Sequence, residues 1–289
     1  MATFGRLLTA MVTPFDDELR VDRAKTEALV EHLIATGSTA LVVAGTTGES
    51  PTLTGQEKIE LFRHVVEIVN GRIPVIAGTG SNSTAASIEM TQKAVETGVD
   101  GIMLVVPYYN KPSQEGLYQH FKTIAETTAL PVMLYNIPGR SVINMAAETT
   151  IRLANDVKNI VAIKEASSDL SQMSFIIDGT PDDFVLYTGD DKMTLPCMSI
   201  GGAGVVSVAS HLIGNEMTEM IAAFTDGNVA KASGLHRKLL PVFEGIFIAA
   251  NPTPVKAALA LQGIDTGSVR LPLVPLTDRE NDFIKSLLV

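Results

Sequence analysis

The chain has 289 residues and a formal charge of −10, from 22 basic and 32 acidic side chains. That total, with no local basic run against it, excludes nucleic acid as the partner. Hydrophobic residues make up 46% and charged residues 19%, enough apolar material for a large core and too little charge for a disordered chain.

No stretch reaches the ~18 uninterrupted apolar residues that span a bilayer, so no membrane partner is expected. The first residues carry no signal-peptide layout, and one cysteine, Cys197, forms no intramolecular disulfide; a cytoplasmic location is expected. At roughly 150 residues per domain the length suggests two domains, although α/β barrels routinely reach about 250 residues as one.

Short apolar, β-branched runs recur along the chain at 7–12, 40–44, 75–77, 101–106, 132–135, 160–164, 185–188 and 204–207. Each leads into a segment of helical period, the pattern of repeated βα units. Their hydrophobicity is nearly continuous, as parallel strands covered on both faces require. The first intervening helix caps at Asp22, is expected to bury Ala24, Leu29, Val30, Leu33 and Ile34, and stops at Gly37. The second opens on a capping box, Thr54 to Glu57, and sets Ile59, Phe62, Val65, Val66 and Val69 on one face.

Eight such units predict an α/β fold, a closed (β/α)8 TIM barrel over residues 1–224. A doubly wound open sheet competes, but no nucleotide fingerprint accompanies the units. Residues 225–289 hold helix-period segments at 230–245 and 254–261 and no strong strand signal. They are expected to form a C-terminal helical extension.

In such a barrel the chemistry sits where strands run into βα loops. Strand two leads into Gly45-Thr46-Thr47-Gly48-Glu49-Ser50, whose N–H and hydroxyl groups suit a carboxylate or another anion, or make a plain turn. Strand four leads into Tyr108 and Tyr109, adjacent tyrosines of the kind that mark contact surfaces. Strand five ends at Tyr135, with Arg140 shortly beyond. A phenol there could relay protons and a guanidinium could grip a carboxylate, or they could be a core tyrosine and a surface arginine.

Strand six ends at Lys164, which shares strand parity with Ile160 and Ala162. If that face is the lumen, desolvation lowers the lysine pKa and makes it a nucleophile toward ketones; otherwise it points outward or pairs with a carboxylate. Strand seven leads into Gly189-Asp190-Asp191, readable as a helix cap. The five histidines are scattered without an i, i+4 pair, so no metal site is expected.

Taken together these segments resemble the dihydrodipicolinate synthase family. The resemblance runs from Thr9-Ala10-Met11-Val12-Thr13-Pro14-Phe15 through the 45–50 loop, Ala77-Gly78-Thr79-Gly80, Pro107-Tyr108-Tyr109-Asn110-Lys111-Pro112 and Tyr135-Asn136-Ile137-Pro138-Gly139-Arg140 to Lys164-Glu165-Ala166. It implies a lyase of lysine and diaminopimelate biosynthesis that condenses pyruvate with L-aspartate 4-semialdehyde, without a cofactor. By the same resemblance Lys164 forms the imine and Tyr135 shuttles protons. Thr47 links Tyr135 to Tyr109, which a neighbouring subunit supplies. Thr46 and Thr47 bind the pyruvate carboxylate, Arg140 holds that of the aldehyde, and Gly189 and Val206 line the pocket through main-chain groups. A homotetramer, as a dimer of tight dimers, is implied.

Members inhibited by lysine bind it in an interface cleft. The matching positions here are Ser50, Gly55, Lys58, Asn82, Ala86 and Tyr108, which lack the two histidines and the carboxylate, so weak or absent inhibition is expected. The rival activities are N-acetylneuraminate lyase and keto-deoxy sugar acid aldolase, which share the lysine and tyrosine, and a noncatalytic keto-acid sensor. Arg140 and the intact lysine–tyrosine set favour the synthase.

Overall fold

A computed structural model describes residues 4–288. Eight parallel strands, β1 (Leu7–Ala10), β2 (Ala40–Val43), β3 (Val75–Gly78), β4 (Gly101–Val105), β5 (Val132–Asn136), β6 (Ile160–Glu165), β7 (Val185–Thr188) and β8 (Gly204–Ser207), close in sequence order. β1 pairs with β8 through Leu8 and Val206, so the sheet has no edge. The (β/α)8 barrel expected from the sequence is present.

The surrounding helices are α1 (Arg23–Ala35), α2 (Gly55–Val69), α3 (Thr84–Val95), α4 (Gln114–Ala125), α5 (Pro138–Ser141), α6 (Ala147–Asp156), α7 (Leu170–Gly179), α8 (Thr194–Ser199) and α9 (Ser210–Thr225). The Asp22 side chain caps α1 by accepting from the Lys25 N–H, and the Thr54–Glu57 capping box starts α2. Ala24 is exposed, not buried. In the first turn of α1 the inward position falls to Thr26, whose hydroxyl donates to the Asp22 carbonyl.

Strand side chains sort into two layers. Leu8, Ala40, Val42, Ile76, Met103, Met133, Tyr135, Ala162, Tyr187 and Val206 fill the lumen as one inner cluster. Their sequence neighbours, Leu41, Val43, Leu104, Leu134, Ile163 and Val205 among them, pack outward against the helices.

One expectation fails here. Ile160 belongs to the outer layer, whereas Ala162 belongs to the inner one. The β5–β6 register slips between Val132↔Ile160 and Met133↔Ala162, a bulge that inserts Val161 and breaks simple parity. Beyond it alternation resumes.

After α9 the chain continues as α10 (Val229–Gly245), α11 (Thr253–Leu261) and α12 (Asp278–Leu287). α10 and α11 pack on α9, and α12 packs on both. A Thr277–Glu280 capping box opens α12, a signal of the same kind as that at Thr54.

Candidate functional site

The end of β5 and the end of β6 lie side by side. Tyr135 and Lys164 are register partners, and the Lys164 Nζ lies 4.2 Å from the centroid of the Tyr135 ring. Lys164 is 5% exposed. Burial draws its pKa down to about 8, with Asp191 pulling it up and Arg140 pulling it further down. Burial pushes the Tyr135 phenol up to about 12, against the opposing pull of the Thr46 side chain and the Arg140 charge. A proton-bearing phenol thus stands beside an amine that loses its proton near neutrality.

Gly189 leaves room for that amine. A Cβ there would lie 3.0 Å from Lys164 Cε and 2.8 Å from Ala166 Cβ. Asp191 is fully buried, accepts the Ser207 hydroxyl and the N–H groups of Val208 (3.1 Å) and Ala209 (3.0 Å), and is raised by burial to about 6. It is therefore a carboxylate at neutral pH and more than a helix cap. Its signal in the sequence was the acidic pair at the end of a barrel strand.

Glu165, next to Lys164, faces away from it. Its carboxylate accepts from Asn136 Nδ2 (3.1 and 3.0 Å), Gln172 Nε2 (3.0 Å) and the Ser167 N–H (2.8 Å), which fastens the end of β6 to β5 and α7.

Beside Tyr135 opens a cavity of about 260 Å³ whose wall includes Thr46, Gly78, Gly80, Tyr135 and Arg140. Its wall also takes in Ser50, Lys58 and Tyr108. Burial lowers the Lys58 pKa. Arg140 sits on the single turn of α5, with no carboxylate partner among the described residues. Lys164 does not itself line the cavity and adjoins it through Tyr135; Gly189 and Val206 lie outside the wall as well, the latter in the inner cluster.

One expected partner of Tyr135 is placed differently. Thr46, not Thr47, shares the cavity wall with Tyr135. Thr47 is buried, and its hydroxyl accepts from Asn251 Nδ2 at 2.9 Å. The two threonines follow one another on a tight turn, so only one can face the phenol. Tyr109 is 89% exposed, at φ +74°, and does not reach Tyr135 within its own chain.

Among the described residues no group of three or more His, Cys, Asp or Glu side chains is placed to hold a metal ion. No helix there is long and apolar enough to cross a membrane.

The model of the dihydrodipicolinate synthetase family matches residues 3–289. The chain belongs to that family. It is 60% identical to the 4-hydroxy-tetrahydrodipicolinate synthase of Bacillus subtilis over 285 residues, covering 99% of this chain and 98% of that one. A second family member, 4-hydroxy-tetrahydrodipicolinate synthase 1 of Halalkalibacterium halodurans, is 63% identical across 96% of this chain and 93% of its own. Among solved structures, a dihydrodipicolinate synthase from Bacillus anthracis superposes with a TM-score of 0.98 at 59% identity, covering 100% of this chain and 98% of that one. Its counterpart from Cyanidioschyzon merolae, solved with lysine bound, gives 0.98 at 51% identity over 100% of this chain and 98% of that one.

Proposed function

We propose that the chain is a lyase that condenses pyruvate with L-aspartate 4-semialdehyde through a Schiff base on Lys164, in the lysine and diaminopimelate pathway. One observation carries the reading: a buried lysine drawn down to about 8, 4.2 Å from the ring of a tyrosine that lines a cavity shared with Arg140. At roughly pH 7.5 about a quarter of such amines are neutral, against about one in a thousand at an unshifted pKa.

Neutral Lys164 attacks the pyruvate ketone and forms a C–N bond. The carbinolamine hydroxyl leaves as water after taking a proton from Tyr135, whose pKa near 12 keeps it a donor. The resulting iminium acidifies the methyl group, and the Tyr135 phenolate left by that transfer takes one methyl proton to give an enamine. Its carbon attacks the aldehyde, forming a C–C bond, while the new alkoxide takes up the proton that Tyr135 has regained. The substrate amine then displaces Lys164 as the ring closes.

Thr46 carries the link to Tyr135 in this scheme, because the two side chains line the same cavity. The N–H groups of Thr46 and Thr47 have no acceptor among the described residues, which suits them to the pyruvate carboxylate. Arg140 is assigned to the carboxylate of the aldehyde. Gly189 serves by admitting Lys164, and Val206 by shaping the barrel interior.

The reading extends to assembly and location. Tyr109, exposed in its own chain, is assigned to the site of a neighbouring subunit in a tetramer built as a dimer of dimers. The catalytic barrel is assigned to residues 1–224 and a helical extension to 225–289, and the enzyme is assigned to the cytoplasm, in keeping with a single, buried cysteine.

A condensation assay with pyruvate tests the reading, comparing L-aspartate 4-semialdehyde as acceptor with cleavage of sialic acid and of keto-deoxy sugar acids. Condensation is expected to dominate. Preferred cleavage of a sugar acid, or no turnover of either kind, contradicts it.

A further inference from the structure

Thr46 lies on a turn closed by the N–H groups of Glu49 and Ser50, which donate to the carbonyls of Thr46 (3.1 Å) and Gly45 (3.2 Å). Glu49 holds φ +55°, a conformation that a non-glycine residue keeps only when its surroundings impose it. One restraint is local to the barrel: the Thr13 hydroxyl donates to the Gly48 carbonyl at 2.7 Å.

The others come from more than 200 residues away in sequence. Asn251 Nδ2 donates to the Thr47 hydroxyl at 2.9 Å. The Lys256 ammonium lies 2.8 Å from Glu49 Oε1, with the two side chains 3% and 1% exposed. The Arg270 N–H donates to Glu49 Oε2 at 2.9 Å. Lys256 is held in turn by the Ser268 carbonyl at 2.8 Å and lies 4.2 Å from the centroid of the Phe15 ring.

We infer that Asn251 and Lys256 are positioning residues for catalysis: they reach from the C-terminal helical segment to hold the threonine turn so that Thr46 meets Tyr135. A buried ion pair gives little net stability over apolar packing, because desolvating both charges offsets their attraction. Its use here is geometric. It fixes a carboxylate three residues from Thr46, while Asn251 fixes the hydroxyl next to it. The effect falls on the proton transfers that Tyr135 serves, which set how fast the imine forms and how fast its methyl protons exchange, rather than on the attack by Lys164, so the imine still accumulates at equilibrium. The inference rests on the imine reading above.

The test measures two quantities with pyruvate alone. Borohydride trapping counts the Lys164 sites that form the imine. Proton NMR in D2O follows exchange of the pyruvate methyl protons, which requires enamine formation. The variants are Asn251→Ala and Lys256→Met, and the exchange rate is expressed per trappable site so that any misfolded fraction drops out. Trapping is expected to persist while exchange per site falls about tenfold or more.

A per-site rate matching that of the unsubstituted chain in either variant overturns the inference. So does a folded variant that is no longer trapped, since the defect then lies at Lys164. If the unsubstituted chain is neither trapped nor exchanges, the proposed function itself fails and this inference with it.

Discussion

Gly189 and Lys164 are packed so closely that a methyl group at position 189 would stand 3.0 Å from the Cε of the lysine. Overpacking of this kind costs about 1–3 kcal/mol and is relieved by moving the flexible partner. Gly189→Ala is therefore expected to displace the Lys164 ammonium and slow imine formation with pyruvate at least tenfold, with the barrel intact. Trapping kinetics and a thermal melt check this; an unchanged rate would show that the glycine is not needed for the lysine's placement.

The pH profile of imine formation follows from the charges around the amine. With Lys164 near 8, the rate is expected to rise through neutrality and level off above about pH 8 as the neutral fraction saturates. Asp191 favours the ammonium and Arg140 disfavours it. Asp191→Asn should thus move the inflection to lower pH, whereas Arg140→Gln should move it higher. Movement in the opposite senses would contradict the assignment of the titrating group to Lys164.

His211 links the fold to acid. It is fully buried and neutral, with Nε2 accepting from the Val12 N–H at 3.2 Å and Nδ1 donating to the Val208 carbonyl at 2.8 Å. Burial draws its pKa from 6.5 to about 4. Because the folded value is depressed, its contribution is complete above about 6.5 and is lost as pH falls toward 4, on the order of 3 kcal/mol. Asp191 is raised by burial to about 6 and runs the other way, gaining stability as it protonates. The measurable quantity is therefore the difference in urea unfolding between the unsubstituted chain and His211→Gln. That gap is expected to narrow from pH 7 to pH 4; a constant gap would remove His211 as the titrating group.

A tyrosine supplied in trans has a signature in mixtures. Tyr135→Phe and Tyr109→Phe should each be nearly inactive alone. Unfolded and refolded together, they should recover about a quarter of the full activity, because a mixed dimer holds one site with both tyrosines intact and one with neither. No recovery on mixing, with mixed oligomers present, would place Tyr109 outside the neighbouring site.

Lysine should inhibit weakly or not at all. Ser50, Lys58 and Tyr108 share one cavity wall, and Asn82 Nδ2 donates to the Tyr108 carbonyl at 3.2 Å, so four of the six matching positions lie together. With Lys58 in the wall and glycine and alanine at positions 55 and 86, however, the cleft repels an ammonium and offers it no carboxylate. Steady-state rates are expected to fall little or not at all with submillimolar lysine; strong inhibition at that level would contradict this.

The strands were legible because a sheet covered on both faces leaves uninterrupted apolar runs, and all eight appear within two residues of where the runs end. For Lys164 the sequence left inward and outward orientations open; it is buried, and the parity count offered for it fails below Ala162 because of the bulge at Val161. Local pattern could not separate Thr46 from Thr47, two hydroxyl residues in sequence. What separates them is Asn251, 204 positions away, which turns Thr47 from the cavity. The buried ionic roles of Glu49, Asp191 and Lys256 were not legible for the same reason. Each is a buried charge whose partners are set by tertiary contacts, and nothing in its flanking residues distinguishes it from a solvated one.

Borohydride reduction in the presence of pyruvate, followed by peptide mass mapping, tests the central claim most directly. One adduct per chain is expected, on the peptide carrying Lys164, and none in a Lys164→Ala variant. An adduct on another lysine, or no adduct with pyruvate at saturating concentration, would contradict the account.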